Sequence, residues 1–137
     1  MMKRDLQSLS VVLFVFVVSV TCTAAERERK QLRAGIIGLD TSHVIAFTKI
    51  LNAADVKPEL SGCRVVAAYP HGSPDIESST SRIPKYTTQI QKLGVEIVDS
   101  IETLLTKVDV VFLETNDGRP HLKQAMKVFR AKDSRNV

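Results

Sequence analysis

Several features that would declare a function outright are missing from this sequence. Cysteine occurs twice, tryptophan not at all, and aromatic residues make up 5% of the chain. Two cysteines cannot build the disulfide framework of a small secreted scaffold. No charge of one sign dominates, since 19 Lys and Arg stand against 15 Asp and Glu for a formal net charge of +4. The densest basic cluster, Arg27, Arg29, Lys30 and Arg33, has no aromatic residue interleaved with it, so it reads as a solvated linker and argues against a nucleic-acid partner. No apolar run approaches the roughly 20 residues that a helix needs to cross a hydrocarbon core about 30 Å thick. Internal repeats, low-complexity arrays and a Gly-x-Ser-x-Gly elbow are also absent, which removes solenoids and the serine hydrolases that depend on that turn.

What is present is an ordinary globular composition, 44% hydrophobic and 25% charged over 137 residues, enough for one domain around one core. Residues 1–25 differ from the rest. Lys3 and Arg4 precede the apolar run Val11 to Val18, and the small residues Thr23, Ala24 and Ala25 follow. This is the layout of a secretory signal peptide, and cleavage after Ala25 is expected to export the chain to the periplasm or the extracellular space. Left uncleaved, the same run would act as a membrane anchor. Thr21 is bulkier than the residue usual before a lipidated cysteine, which argues against lipidation at Cys22. Cys63 then remains alone in the mature chain, next to Val65-Val66-Ala67-Ala68, and a buried, inert thiol is expected there.

Residues 26–33 read as a linker, 34–131 as a single domain and 132–137 as a polar tail. Within the domain, apolar runs and helical periodicity alternate. Ala34 to Leu39 predicts a first strand covered on both faces, and Val44, Phe47 and Leu51 at helical spacing predict a helix after it. Arg64 to Tyr69 predicts strand two, followed by a long surface loop from Pro70 to Pro84. Tyr86, Ile90 and Leu93 predict a helix that Gly94 closes with a left-handed cap. Val95 to Val98 predicts strand three, and Asp99 with Glu102 has the form of a capping box. Val108 to Glu114 predicts strand four. Pro120 stands where a first helical residue would be, and Leu122, Ala125, Met126 and Phe129 predict the buried stripe of a last helix. Four strand-helix repeats imply an α/β fold, a Rossmann-type parallel sheet of about four strands in the order 3-2-1-4 with helices on both faces. Ligands are expected at the carboxyl ends of strands one and four.

The turn after strand one, Gly38-Leu39-Asp40-Thr41-Ser42-His43, lies where dinucleotide-binding folds carry Gly-x-Gly-x-x-Gly, with Asp40 and His43 at the second and third glycine positions. These six residues are the candidate contacts to a cofactor. Asp40 either caps the helix that follows or sets a negative charge opposite a diphosphate. Strand two ends in Tyr69-Pro70-His71 where an acid usually accepts the ribose hydroxyls, and Asp75 is the nearest carboxyl group. The three histidines, His43, His71 and His121, all follow predicted strands with Asp40 and Asp117 nearby, but their spacing matches no metal motif and no metal site is assigned.

Ala34-Gly35-Ile36-Ile37-Gly38-Leu39, Val108-Asp109-Val110-Val111-Phe112-Leu113-Glu114-Thr115 and Pro120-His121 with Ala125 resemble the N-terminal region of the Gfo/Idh/MocA oxidoreductases, over residues 33 to 131. The resemblance implies NAD or NADP as cofactor and a sugar or polyol as substrate, with Gly38, Thr115, Asn116, Pro120 and His121 lining the cofactor. It also implies a further strand leading to a Glu-Lys-Pro motif with a catalytic lysine. Residues 132–137 carry neither, so a shortened domain without turnover of its own is expected, with strand four as an exposed edge prone to self-association. The alternative is a non-catalytic module that binds a sugar, phosphate or metal at the same edge.

Overall fold

The computed structural model describes residues 30–133. The expected leader with Cys22, the first residues of the linker and the end of the polar tail lie outside the described residues. Along the described chain come β1 (Leu32–Ile37), α1 (His43–Leu51), β2 (Cys63–Tyr69), α2 (Glu77–Thr80), α3 (Ile83–Lys92), β3 (Glu96–Ile97), α4 (Ile101–Lys107), β4 (Val110–Leu113) and α5 (His121–Asp133). Every strand pairing is parallel and the sheet order is β3-β2-β1-β4. The fold is therefore the Rossmann-type α/β sheet that the alternation predicts.

Period-two alternation along the strands divides the core into two layers. Ala34, Ile36, Val110 and Phe112 pack on one face with Val44 of α1 and Ile90 of α3, while Ile37, Val111 and Leu113 pack on the other with Leu104 and Leu105 of α4. In β2 the register slips, because Ala34 pairs with Val65 but Gly35 with Ala67. Val66 is the extra residue of this bulge, and it joins Ala67 on the α4 side. Ile36, Ile37 and Leu104 are wholly buried, each contributing about 2 kcal/mol of apolar burial. At the amino-terminal end of the sheet, Arg33 grips Asp109 through Nε and Nη2 at 3.0 and 2.9 Å. The Arg33 guanidinium holds the Asp109 carboxyl well below the usual range, and its own pKa rises in return.

Several local expectations change in the tertiary setting. β1 stops at Ile37 because Gly38 turns to φ 97°. The stretch after β2 is not simply a surface loop: it folds α2 and buries Ser73 and Ser79. The cap of α4 is Ser100, whose hydroxyl accepts from the Thr103 amide at 3.1 Å, so Asp99 and Glu102 do not form the capping box. Asp99 instead accepts from the Ser100 and Thr103 hydroxyls. Pro120 lies just before α5 and accepts its first helical hydrogen bond, from the Gln124 amide at 3.0 Å. The apolar stripe of α5 faces solvent, with Leu122 74% and Phe129 60% exposed. The helix packs inward through Gln124, Val128 and Ala131, whose own i, i+4, i+7 spacing defines a different face. Cys63 is only half-buried, its thiol pushed up by that burial. The Gly94 cap forms as expected, with Gly94 at φ 81° and the amides of Gly94 and Val95 donating to the Gln91 and Ile90 carbonyls.

Candidate functional site

The carboxyl ends of β2, β1 and β4 meet at one edge, and the turn after β1 is clasped from both sides. The Gly38 and Leu39 amides donate to the Tyr69 and His71 carbonyls at 3.0 and 3.2 Å, and the Glu114 amide donates to the Ile37 carbonyl at 2.8 Å. Gly38 has no room for a side chain: a Cβ would lie 2.5 Å from the Thr115 amide nitrogen. The glycine serves close approach, and the approaching group is the loop after β4.

Asp40 is wholly buried and does not cap α1, whose N-cap is Ser42 with no side-chain hydrogen bond. Its Oδ2 accepts from the Ser79 hydroxyl at 2.6 Å and its Oδ1 from the Asn116 amide at 2.9 Å. The Ser73 amide donates in turn to Ser79 Oγ at 2.9 Å. The side chain at the second glycine position therefore points inward and ties the β2 and β4 loops to the β1 turn. Neither expected role, helix cap or charge facing a diphosphate, describes it.

A second polar layer lies nearer solvent. Ser73 Oγ donates to Asp117, Arg119 Nε donates to Asp117 Oδ2 at 2.8 Å, and the Arg119 fork holds both Asp75 oxygens at 2.8 and 2.9 Å. Hydrogen bonds from Arg119, and then from Ser73, hold the Asp117 carboxyl far below its ordinary range. The Arg119 guanidinium likewise depresses Asp75.

The other predicted residues share this edge without forming one surface. Leu39 is buried in the core beneath α1, so its side chain is closed to any ligand. Thr41 Oγ1 is shielded and has no hydrogen-bond partner. Ser42 is exposed, and the exposed His43 stacks on Phe47 at 5.9 Å with Nδ1 3.8 Å from Glu114 Oε2. Burial raises the Glu114 pKa, opposed by His43 and His121. His121 Nε2 lies 2.8 Å from the Thr115 carbonyl oxygen, and His71 stacks on Tyr69 at 5.5 Å. The histidines are thus dispersed, and among the described residues no group of three or more His, Cys, Asp or Glu could hold a metal ion.

Beside this edge a cleft of about 420 Å³ opens between the end of β2, the start of α4 and the first half of α5. Tyr69, His71, Glu102, Pro120, Lys123, Gln124 and Lys127 are in its wall. Gln124 is 4% exposed; its Oε1 accepts from the Thr115 hydroxyl at 3.1 Å, while its Nε2 is buried without a partner. Sequence reasoning missed Gln124, Lys123, Ser79 and Arg119. Only Gln124 left a signal, its helical spacing with Val128 and Ala131.

These features fit a dinucleotide. Asp40 is withdrawn from the surface, and two buried polar atoms near this edge, on Thr41 and Gln124, have no protein partner. Thr41, Ser42 and His43 would border the diphosphate, and the cleft would hold the adenosine. Bound there, the group would supply hydride chemistry; this chain's residues would bind and orient it.

No protein-family model matches the chain, and no curated protein matches it. Among solved structures it is similar to the UDP-N-acetylglucosamine 3-dehydrogenase of Acidithiobacillus ferrooxidans, at 17% identity over 74% of this chain and with a TM-score of 0.50. It is also similar to the myo-inositol dehydrogenase of Lactobacillus casei in complex with NAD(H) and myo-inositol, at 20% identity over 73% of this chain and with a TM-score of 0.46. The chain spans 26% of the length of either protein. The first likeness establishes a fold in common with a dehydrogenase, the four-stranded parallel sheet with its helices.

Proposed function

We propose that this chain is the NAD(P)-binding domain of a sugar or polyol oxidoreductase of the Gfo/Idh/MocA type, binding the dinucleotide without turnover by itself. The observation that carries the reading is the cleft at the carboxyl end of β2, with Gln124, whose Nε2 has no partner, in its wall. Open α/β sheets bind ligands outside the carboxyl ends of their strands, where the strand order reverses, and here β1 and β4 mark that reversal. The glycine turn, the Val108 to Thr115 segment and Pro120-His121 support the family, and the fold in common with a dehydrogenase agrees with it.

Titration calorimetry with NAD, NADP and simple sugars tests the reading. Saturable binding of a dinucleotide, without hydride transfer to or from sugars, is the expected result. Binding of a sugar or inorganic phosphate with no dinucleotide binding would favour a simple binding module and overturn it.

The proposal extends to export, on the strength of Lys3, Arg4, the run Val11 to Val18 and the small residues before Glu26. Mass spectrometry of the mature protein is expected to find an amino terminus at Glu26. Recovery of an intact Met1 end from the cytoplasm would count against it.

A further inference from the structure

We infer that the cleft between β2, α4 and α5 selects an adenosine ribose carrying a phosphate on its 2′ oxygen, so that the dinucleotide accepted is of NADP type. This rests on the nucleotide-binding reading above. In dinucleotide folds the end of the second strand reads the adenosine ribose: an acid there accepts its hydroxyls, and a cation nearby accommodates a 2′-phosphate.

Here the end of β2 offers Tyr69 and His71 and no acid. Glu102, the carboxyl group in the cleft wall, and Asp75, the first acid after β2, are both engaged. Glu102 Oε1 lies 2.8 Å from Lys127 Nζ, and Asp75 is held by both arms of the Arg119 fork. The donors are free. No carboxylate pairs with Lys123 among the described residues, and Gln124 Nε2 is a buried donor without an acceptor. A ribose diol brings two hydroxyl donors and needs acceptors; a phosphate brings only acceptors and needs donors and positive charge. The wall matches the phosphate. The Tyr69 and His71 rings, stacked at an interplanar angle of 15°, add a flat surface on which a purine can lie.

The test is calorimetry on the full chain with adenosine 2′,5′-bisphosphate, adenosine 5′-monophosphate and inorganic phosphate as separate titrants. The bisphosphate is expected to bind roughly tenfold more tightly than the monophosphate, the scale of a hydrogen bond to a charged group. Added salt should shrink the difference, and Lys123→Met, a change at an exposed position, should bring the two affinities together. Equal affinities in the unaltered protein would overturn this inference while leaving the nucleotide-binding reading intact. Inorganic phosphate binding as tightly as the bisphosphate would overturn the adenosine part. If neither nucleotide binds, both readings fall.

Discussion

Asp40 concentrates more of the edge's organisation than any other side chain. Its two oxygens satisfy a hydroxyl 39 residues away and an amide 76 residues away, so its loss leaves the buried Ser79 hydroxyl and the part-buried Asn116 amide without this acceptor. A buried donor left unsatisfied costs about 1–3 kcal/mol. Asp40→Ala is therefore expected to destabilise the protein by about 2 kcal/mol, read as a lower urea midpoint. Asp40→Asn, which keeps one acceptor oxygen, should cost less. A shift below about 0.5 kcal/mol for Asp40→Ala, the ordinary range of a surface substitution, would show that the three loops do not depend on this group. The same reasoning explains why replacing Asp40 by glycine is not expected to uncover a better dinucleotide turn: the side chain lies beneath the turn, not over it.

At the scale of elements, α5 is where periodicity misleads. Two sets of residues on this helix have i, i+4, i+7 spacing, Leu122-Met126-Phe129 and Gln124-Val128-Ala131, and the greasier set is the exposed one. Helical spacing states which residues share a face but not which face meets the sheet. The outcome follows from the hydroxyl of Thr115, which binds Gln124 Oε1, and from Val128 and Ala131 packing against the α4 layer. Leu122→Gln is therefore expected to change stability by less than about 0.5 kcal/mol. Val128→Ala should cost about 1 kcal/mol or more for two lost methyl groups in a partly buried site. Thermal unfolding of the two variants checks this, and a reversed order would mean that the stripe is the packed face after all.

For the whole molecule, the depressed carboxyl groups set the response to acid. Asp75, Glu102, Asp109 and Asp117 are each lowered in the folded state, in every case first by a hydrogen bond from a basic side chain. Groups of this sign add stability that is fully present above their ordinary values, 3.8 for aspartate and 4.5 for glutamate, and lose it as pH falls. Glu114 acts in the opposite sense. Raised by burial, it favours the fold most below its ordinary value and surrenders that contribution as pH rises through the raised one. Four groups outweigh one, so the melting temperature is expected to drop between about pH 5 and pH 2. Arg119→Ala, which releases Asp75 and Asp117, should make the drop shallower; an unchanged profile would contradict the assignment. Salt should weaken the effect as well, because these pairs sit near solvent.

Among the described residues β4 pairs only with β1, and Phe112 with Phe47, Ile50, Leu51 and Leu60 lines an apolar groove of about 290 Å³ beside it. An unpaired strand edge flanked by apolar surface is a template for pairing. Concentration-dependent self-association is the expected result in sedimentation velocity, and a single monomeric species at high concentration would argue against it.

The layered α/β sheet, its order, the left-handed cap at Gly94 and the glycine turn after β1 were all legible in the sequence, because each follows from neighbours within a few residues or from the limited set of right-handed crossovers. The expectation of a ligand site at the carboxyl edge follows from the same alternation. The direction in which Asp40 points, the buried face of α5 and the surplus of free donors in the cleft were decided only by the tertiary structure. Each depends on partners brought together across long separations, Ser79 and Asn116 for Asp40 and the walls of β2, α4 and α5 for the cleft. Local periodicity carries no information about such meetings, since the same spacing and the same residue types are compatible with either face and either direction.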